Sequence, residues 1–284
     1  MSQGFNPQGS FQPLSIGNVV SAAVRLYRSH FKQYLGLACQ AVLWAIIPIY
    51  GWAKMHTIYA MISRQVFGEL VNQPEGITHT RNQLNPRLWT FLLAQILVGL
   101  ILFGVSFGLS LVQNLILLIS GVAFQNARLL ISLLALILTL AYWFGYLWFY
   151  ARMFIPELPI AIETNVDAAQ SISRSWELTK GHVLRLQAII FIASLITLPL
   201  IILALIPFIL SFIPLMVQTS QNPNVTPNET VLGSLLVGIL LAIIGMMVVS
   251  IMTMPFWQSI KAVIYYDLRS RREGLGLKLR DRQI

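Results

Sequence analysis

The stretch LWTFLLAQILVGLILFGVSFGLSLVQNLILLISGVAFQNA (88–127) decides the fold, because it contains no Asp, Glu, Lys, Arg or His. The same residue types are absent from 186–228 and from 230–260. A soluble domain would carry charges throughout such runs, whereas about 20 apolar residues suffice to cross the hydrocarbon core of a bilayer. The sequence therefore predicts an all-α, polytopic transmembrane helical bundle whose charges mark where the chain meets water.

Composition supports this prediction and limits the chemistry of the chain. Hydrophobic residues make up 56 % of the 284 residues and charged residues only 10 %, far from the averages of soluble domains. With ten acidic residues, little material remains for carboxylate catalysis. The single Cys39 excludes an intrachain disulfide, and the histidines lie in separate segments without ligand spacing. We therefore expect a protein that is not an enzyme and has no catalytic residue, metal site or cofactor.

We predict about six spans together with two or three interfacial amphipathic helices. The charge-free run at 88–126 is too long for one crossing, so we divide it at the glycines and serines of FGVSFGLS. Gly104 and Gly108 within it form a GxxxG pattern typical of helix contacts. Residues 14–32 and 55–70 have the apolar period of interfacial helices, and 72–87 resembles a loop. The predicted spans are 33–53 (kinked at Pro48), 88–106, 109–125, 129–151, one starting near Val183, and 231–254.

The domain organisation follows from the short charged and polar segments between the apolar runs. We predict a disordered N-terminal tail at 1–13, one integral-membrane domain at 14–274 and a basic C-terminal tail at 275–284. AAVRLYRSHFKQYLGLA (22–38) resembles SISRSWELTKGHVLRLQ (171–187), which indicates a two-fold internal repeat of 14–164 and 165–274.

The distribution of basic residues predicts the orientation in the membrane. Residues 261–284 contain seven basic and three acidic residues, whereas 218–230 contain no basic residue. The positive-inside rule then places both termini in the cytoplasm, which six crossings satisfy. Six crossings also place 55–87, with Arg64, Arg81 and Arg87, outside. Five crossings would remove that conflict but would export the basic N-terminal helix, so we prefer six.

The interior segment 152–185 is the most densely charged part of the spanning region. Asp167 and Gln170 fit a capping box at the start of a helix, and Lys180-Gly181 fits its end. We expect the buried stripe of this helix to consist of Ala169, Ile172, Trp176 and Thr179.

Charged residues of this segment and of the C-terminal helix are candidates for a structural or docking role. One interpretation is an ion-pair network that fixes the C-terminal helix to the helix at 165–181, and the other is a docking surface for a partner or for anionic lipid. For Asp267 the expected partner is Arg174, with Arg152 second. The candidates are Arg152, Glu163, Arg174, Trp176, Lys180, Gly181, Tyr266, Asp267, Arg269, Arg272, Glu273 and Gly274.

Three strings carry a resemblance to a known family: Arg152 with FIPELPIAIE (154–163), SRSWELTKG (173–181) and YYDLRSRREG (265–274). They resemble a bacterial six-span integral-membrane family, related to the membrane domain of glycerophosphodiester phosphodiesterases. This chain has Leu275-Gly276 where the family pattern usually places an Asp. The resemblance implies the bacterial inner membrane, and we expect neither the phosphodiesterase domain nor its activity.

Two functions from different classes fit these features. The first is a non-enzymatic membrane protein that organises, stabilises or assists other membrane components. Its expected partners are the bilayer, with anionic headgroups at the cytoplasmic face, and another membrane protein, but not nucleic acid. The alternative is a permease-like transporter of a neutral or lipid-like solute, because no predicted span contains an ionisable residue. An enzyme of lipid metabolism ranks third, since it would require carboxylates or histidines clustered at one membrane face and the sequence offers only the ion-pair candidates.

Overall fold

The structure, a computed structural model, describes residues 14–123, 127–221 and 228–274, and this part of the chain is helical without any strand. A short 3-10 helix at Asn85–Arg87 lies directly before the long helix that begins at Leu88. The α-helices are α1 (Ile16–Ser29), α2 (Phe31–Ala45), α3 (Tyr50–Leu70), α4 (Ile77–Leu84), α5 (Leu88–Ala123), α6 (Arg128–Arg152), α7 (Glu157–Ile162), α8 (Ala168–Thr179), α9 (Val183–Leu210), α10 (Ile213–Gln221) and α11 (Glu229–Glu273).

Four helical segments of the described residues are long and apolar enough to cross a membrane: Ile77–Val122, Arg128–Ile162, Val183–Ser220 and Glu229–Glu273. Helix α5 packs against α6 to form the first hairpin, and α9 packs against α11 to form the second. The prediction of an all-α protein with several apolar helices is therefore confirmed. The predicted helix at 129–151 and the predicted helix start near Val183 agree with α6 and α9.

The predicted division of 88–126 into two spans is wrong, because α5 continues without interruption from Leu88 to Ala123. Its glycines and serines retain helical hydrogen bonding, and no proline is present to remove a backbone donor. The GxxxG pair does not form a helix contact within the described chain, since a Cβ atom at Gly104 or Gly108 would have no neighbour within 4 Å. The close helix contact lies in the second hairpin, where Gly238 packs against Ser211.

The predicted first span, 33–53, consists of α2 and the beginning of α3, joined by a turn. Helix α2 has 15 residues and is therefore only about 22 Å long, less than the hydrocarbon thickness of about 30 Å. At the turn, the amide of Tyr50 donates to the Pro48 carbonyl over 2.8 Å, and Ile49 has a φ of 61°. This γ-turn reverses the chain, so α2 and α3 form a short helical pair, and neither helix is among the four described segments that are long and apolar enough to cross a membrane.

Most of the packed core lies in a platform, which we define as residues 14–95, 151–193 and 255–274. Apart from Arg128 and Glu229, every Asp, Glu, Lys and Arg of the described residues also belongs to it. The buried hydrophobic side chains of the described residues lie in the platform with few exceptions, namely Val98, Ala204, Val231, Ala242 and Val249. The chain thus combines a compact, charged platform with two thin apolar hairpins.

Helix α3 lies at the centre of the platform, although its sequence predicted an interfacial helix. Ile58, Ile62 and Val66 are buried as the period implies, but Thr57, Tyr59 and other residues of the remaining faces are buried as well. Helices α2, α5, α7 and α11 surround it and cover those faces. The predicted loop at 72–87 contains α4 and the 3-10 helix.

Residues 55–87 and 152–185 lie on the same side of the molecule, contrary to the six-span topology. Arg64 donates to the Ala161 carbonyl over 2.6 Å, and Arg87 donates to the Ile160 carbonyl over 2.6 Å. These arginines satisfy carbonyl groups at the end of α7, which have no partner within the helix. A topology that places 55–87 opposite to 152–185 is therefore wrong.

Helix α8 begins as predicted, with a complete capping box between Asp167 and Gln170. Its buried face differs from the expected stripe, because Ala169 is exposed and Ile172 and Trp176 are only partly buried. The fully buried face consists of Ala168, Ser171, Ser175, Leu178 and Thr179. Each of these buried hydroxyl groups donates to a backbone carbonyl, which explains how a polar face can be buried.

Candidate functional site

The predicted site residues all lie in the platform, and Asp267 anchors the first of their clusters. Its side chain is 2 % exposed and forms ion pairs with Arg185 and, over 3.0 Å, with Arg271. Its Oδ1 also accepts a hydrogen bond from the Leu14 amide over 2.8 Å, while both arginines donate to the Leu14 carbonyl. This clamp holds the start of α1 against α9 and α11. Neither Arg174 nor Arg152 pairs with Asp267, so both predicted partners are wrong.

A second cluster joins α8 to the end of α11 through Arg174. Its guanidinium contacts Glu163 over 3.2 Å and forms a short ion pair with Glu273. Tyr265 donates to the same Glu163 oxygen over 2.5 Å, and Arg269 pairs with Glu273 over 2.8 Å. Burial tends to lower the pKa of Arg174, but the two carboxylates outweigh this effect and raise it. The arrangement is an ion-pair network between α8 and the C-terminal helix.

Arg152 occupies a third position, beside the rings of Trp148 and Trp176, which pack edge-to-face with their centroids 5.6 Å apart. The centre of its guanidinium lies 4.7 and 4.5 Å from the two ring centroids. Nη1 donates to the Trp176 carbonyl over 2.9 Å, and Ser175 Oγ donates to the Arg152 carbonyl over 2.7 Å. The side chain is thus buried and fixed, but by rings and carbonyl groups instead of a carboxylate.

The remaining candidates cap helices or fill the core. Lys180 and Gly181, the latter with a φ of 79°, end α8 as predicted, and Arg272 donates to the Lys180 carbonyl. Gly274 ends α11 with a φ of 61°, a left-handed conformation that favours glycine. Tyr266 is 3 % exposed and packs edge-to-face with Phe67.

A buried polar cluster that the sequence did not predict lies beneath the hairpins. Lys261 pairs with Glu157 over 2.9 Å, and Gln95 contacts the other oxygen of Glu157 over 3.5 Å. Burial lowers the pKa of the neighbouring His56, an effect that Glu157 opposes and Lys261 reinforces. Burial and the Glu157 charge raise the pKa of Tyr59 to about 12. Pro156 and Pro159, which flank Glu157, were a local sequence signal of an unusual segment here.

An apolar cavity of about 550 Å³ lies between the α2–α3 pair and the second hairpin. Its walls include Val42 and Met55 on one side and Leu205, Phe208 and Met246 on the other. Tyr59 and Ser250 are the polar side chains at its edge. Its size falls within the roughly 300–1,000 Å³ range of ligand pockets, and its walls suit a hydrocarbon chain.

In the described ranges, no group of three or more His, Cys, Asp or Glu side chains lies close enough to hold a metal ion. Comparison of the chain with protein-family models, with functionally described proteins and with solved structures found no match. The relationship to the six-span family therefore stays a prediction.

Proposed function

We propose that this chain is a non-enzymatic integral membrane protein that organises, stabilises or assists other membrane components. The supporting observation is the contrast between the packed platform and the uncovered hairpins. In the most apolar 18-residue window of each candidate span, between 0 and 22 % of the residues are buried by the chain itself. Hairpins with so little intramolecular packing offer most of their surface to lipid or to other membrane proteins.

We further propose that the platform lies on the cytoplasmic side of a bacterial inner membrane, with both termini cytoplasmic. Four crossings return the chain to its starting side, and the platform contains more Arg and Lys than Asp and Glu. Arg64 and Arg87, which conflicted with six crossings, then lie with the other basic residues. The four-crossing topology thus places the basic residues of the described chain on the inner side, except for Arg128 at the outer end of α6.

The α2–α3 turn supports a location of the platform at the membrane surface. Ile46, Ile47 and Ile49 are 67, 47 and 61 % exposed at its tip. The rings of Trp44, Tyr50 and Trp89 form a chain of edge-to-face contacts beside them. Exposed aliphatic side chains flanked by Trp and Tyr are typical of segments that enter the interfacial region of a bilayer.

Photo-crosslinking tests the proposed role directly. A photoreactive residue at Phe103, which is 69 % exposed on α5, should give one discrete protein adduct in native membranes. The matched control is the same residue at Phe91, which is 1 % exposed on the same helix and should give none. Purification in mild detergent should then recover that partner at fixed stoichiometry. A monomer or homodimer without a partner would contradict the proposal.

The apolar cavity favours one alternative, a carrier of a neutral or lipid-like solute. Proteoliposomes would then accelerate transfer of a fluorescent phospholipid between leaflets. Met246→Trp should block the cavity, whereas Val248→Trp, an exposed position outside the cavity lining, should not. Equal transfer with and without the protein would exclude this alternative.

A further inference from the structure

Arg152 is a buried cation without an anionic partner among the residues that the structure describes. Its residue is 7 % exposed, and none of the ion pairs formed by the described residues includes it. Its Nε atom is buried without any hydrogen-bond partner. Removal of a guanidinium from water is costly unless a counter-charge and hydrogen bonds compensate it. The two tryptophan rings stabilise the cation but do not neutralise it.

Arg152 lines a cavity of about 470 Å³ at the junction of α6, α8 and α9. Its other walls are Trp148, Gly181, His182, Val183, Leu184 and Arg185. Helix α9 begins at this cavity, and the His182 side chain does not cap its first amides. Uncapped amides at a helix N-terminus attract anions, so they add to the positive potential of Arg152.

The position of the cavity points to the headgroup region of the bilayer. Arg152 is the last residue of α6 and Val183 the first of α9, so two membrane-crossing helices meet the platform here. Leu184 at the cavity wall is 68 % exposed, which places an apolar side chain next to the cationic group. An anion bound here would therefore have an apolar surface for an attached chain.

We propose that this cavity binds the phosphate group of an anionic phospholipid, with the guanidinium of Arg152 donating to phosphate oxygens. A guanidinium forms strong charge-assisted hydrogen bonds with phosphate, and the anion would supply the counter-charge that Arg152 lacks among the described residues. The tryptophan rings hold the guanidinium in place before the lipid arrives. The site deepens the proposed function by naming the lipid class, and it rests on that proposal only for the membrane location.

Lipid titration of the purified full-length chain in neutral detergent tests this site without any protein partner. The probes are phosphatidylglycerol, phosphatidylcholine and inorganic phosphate, and the readout is the unfolding temperature. Phosphatidylglycerol should raise this temperature with saturation. In Arg152→Gln the half-saturating lipid concentration should rise at least about tenfold, since a charge-assisted interaction is lost. Arg128→Gln removes an exposed charge at the opposite end of α6 and should respond like the parent.

A second pair of variants keeps the test valid if Arg152→Gln does not fold. Leu184→Glu adds a negative charge at the exposed wall and should weaken phosphatidylglycerol binding, whereas Leu184→Gln should not. Equal stabilisation by phosphatidylcholine, or an unchanged titration in both Arg152→Gln and Leu184→Glu, would overturn the site. Equal stabilisation by inorganic phosphate would overturn the lipid assignment and give the site to free phosphate. None of these outcomes depends on whether a partner protein exists.

Discussion

Arg185 and Asp267 form an ion pair that connects the first turn of α9 to α11 across the base of the second hairpin. The Asp267 carboxylate is almost fully buried and also accepts a hydrogen bond from the Leu14 amide. Because α1, α9 and α11 meet at this carboxylate, the pair fixes where the amino-terminal helix enters the platform.

The charge-removing substitution Asp267→Asn should lower the free energy of unfolding by about 3 kcal/mol, because it leaves the partly buried Arg185 and Arg271 without their counter-charge. Arg185→Gln should cost a similar amount, and the double variant should lose much less than the sum. Thermal and chemical unfolding in detergent would measure the cycle.

The control cycle pairs Asp267→Asn with Arg174→Gln. Arg174 contacts Glu163 and Glu273 and not Asp267, so these two effects should add. Coupling in this control, with additivity in the Arg185 cycle, would show that Asp267 meets Arg174 instead.

His56 should make the stability of the platform depend on pH. Burial lowers its pKa below the ordinary value of 6.5. The Glu157 charge on α7 opposes this shift, and the Lys261 charge on α11 adds to it. A lowered pKa means that the stabilisation is complete above about pH 6.5 and is lost as the pH falls, since protons then bind preferentially to the unfolded chain. The unfolding temperature should therefore decrease from about pH 7.5 to about pH 5.5 by more in the parent than in His56→Gln.

His79→Gln is the matched control, because it removes an exposed histidine from α4. It should retain the pH dependence of the parent. A parent and a His56→Gln variant with the same pH dependence would show that His56 is not buried as described.

Gly238 should not tolerate a larger side chain. A Cβ atom there would lie 2.3 Å from Ser211 Cβ and 3.1 Å from the Pro207 carbonyl oxygen. Gly238→Ala should therefore force α9 and α11 apart and cost about 1–3 kcal/mol of stability. Gly104→Ala has open space around it and should change stability by no more than about 1 kcal/mol. Equal unfolding temperatures for the two variants would contradict the close contact.

Local features of the fold were predictable because they depend on nearby residues. The capping box at Asp167 and the start of α9 at Val183 follow from short-range hydrogen bonding and from hydrophobicity. The charge-free runs likewise identify the apolar helices. Hydrophobicity cannot, however, distinguish α3, whose faces are covered by other helices, from a helix at the membrane surface. It also cannot show that α5 remains one helix beyond the length of a single crossing.

The sequence predicted which residues belong to the candidate site better than it predicted which of them contact each other. Asp267, Arg174 and Arg152 all connect helices of the platform, but each does so through partners that the sequence did not predict. Arg185 is 82 positions from Asp267, and no local pattern connects them. In the sequence, Trp148 looks like an ordinary aromatic residue of a span, and only the fold shows its contact with the Arg152 guanidinium. These contacts depend on how helices that are distant in the sequence pack against one another.

The most direct test of the four-crossing topology is the accessibility of Asn82 from the two sides of the membrane. In a Cys39→Ala background, single cysteines at exposed Asn82, Ser173 and Ser220 would be treated with a membrane-impermeant thiol reagent in intact spheroplasts and after lysis. Four crossings predict that Ser220→Cys reacts in intact spheroplasts, while Asn82→Cys and Ser173→Cys react only after lysis. Reaction of Asn82→Cys in intact spheroplasts, with Ser173→Cys protected, would contradict the four-crossing topology and indicate a crossing within 33–53.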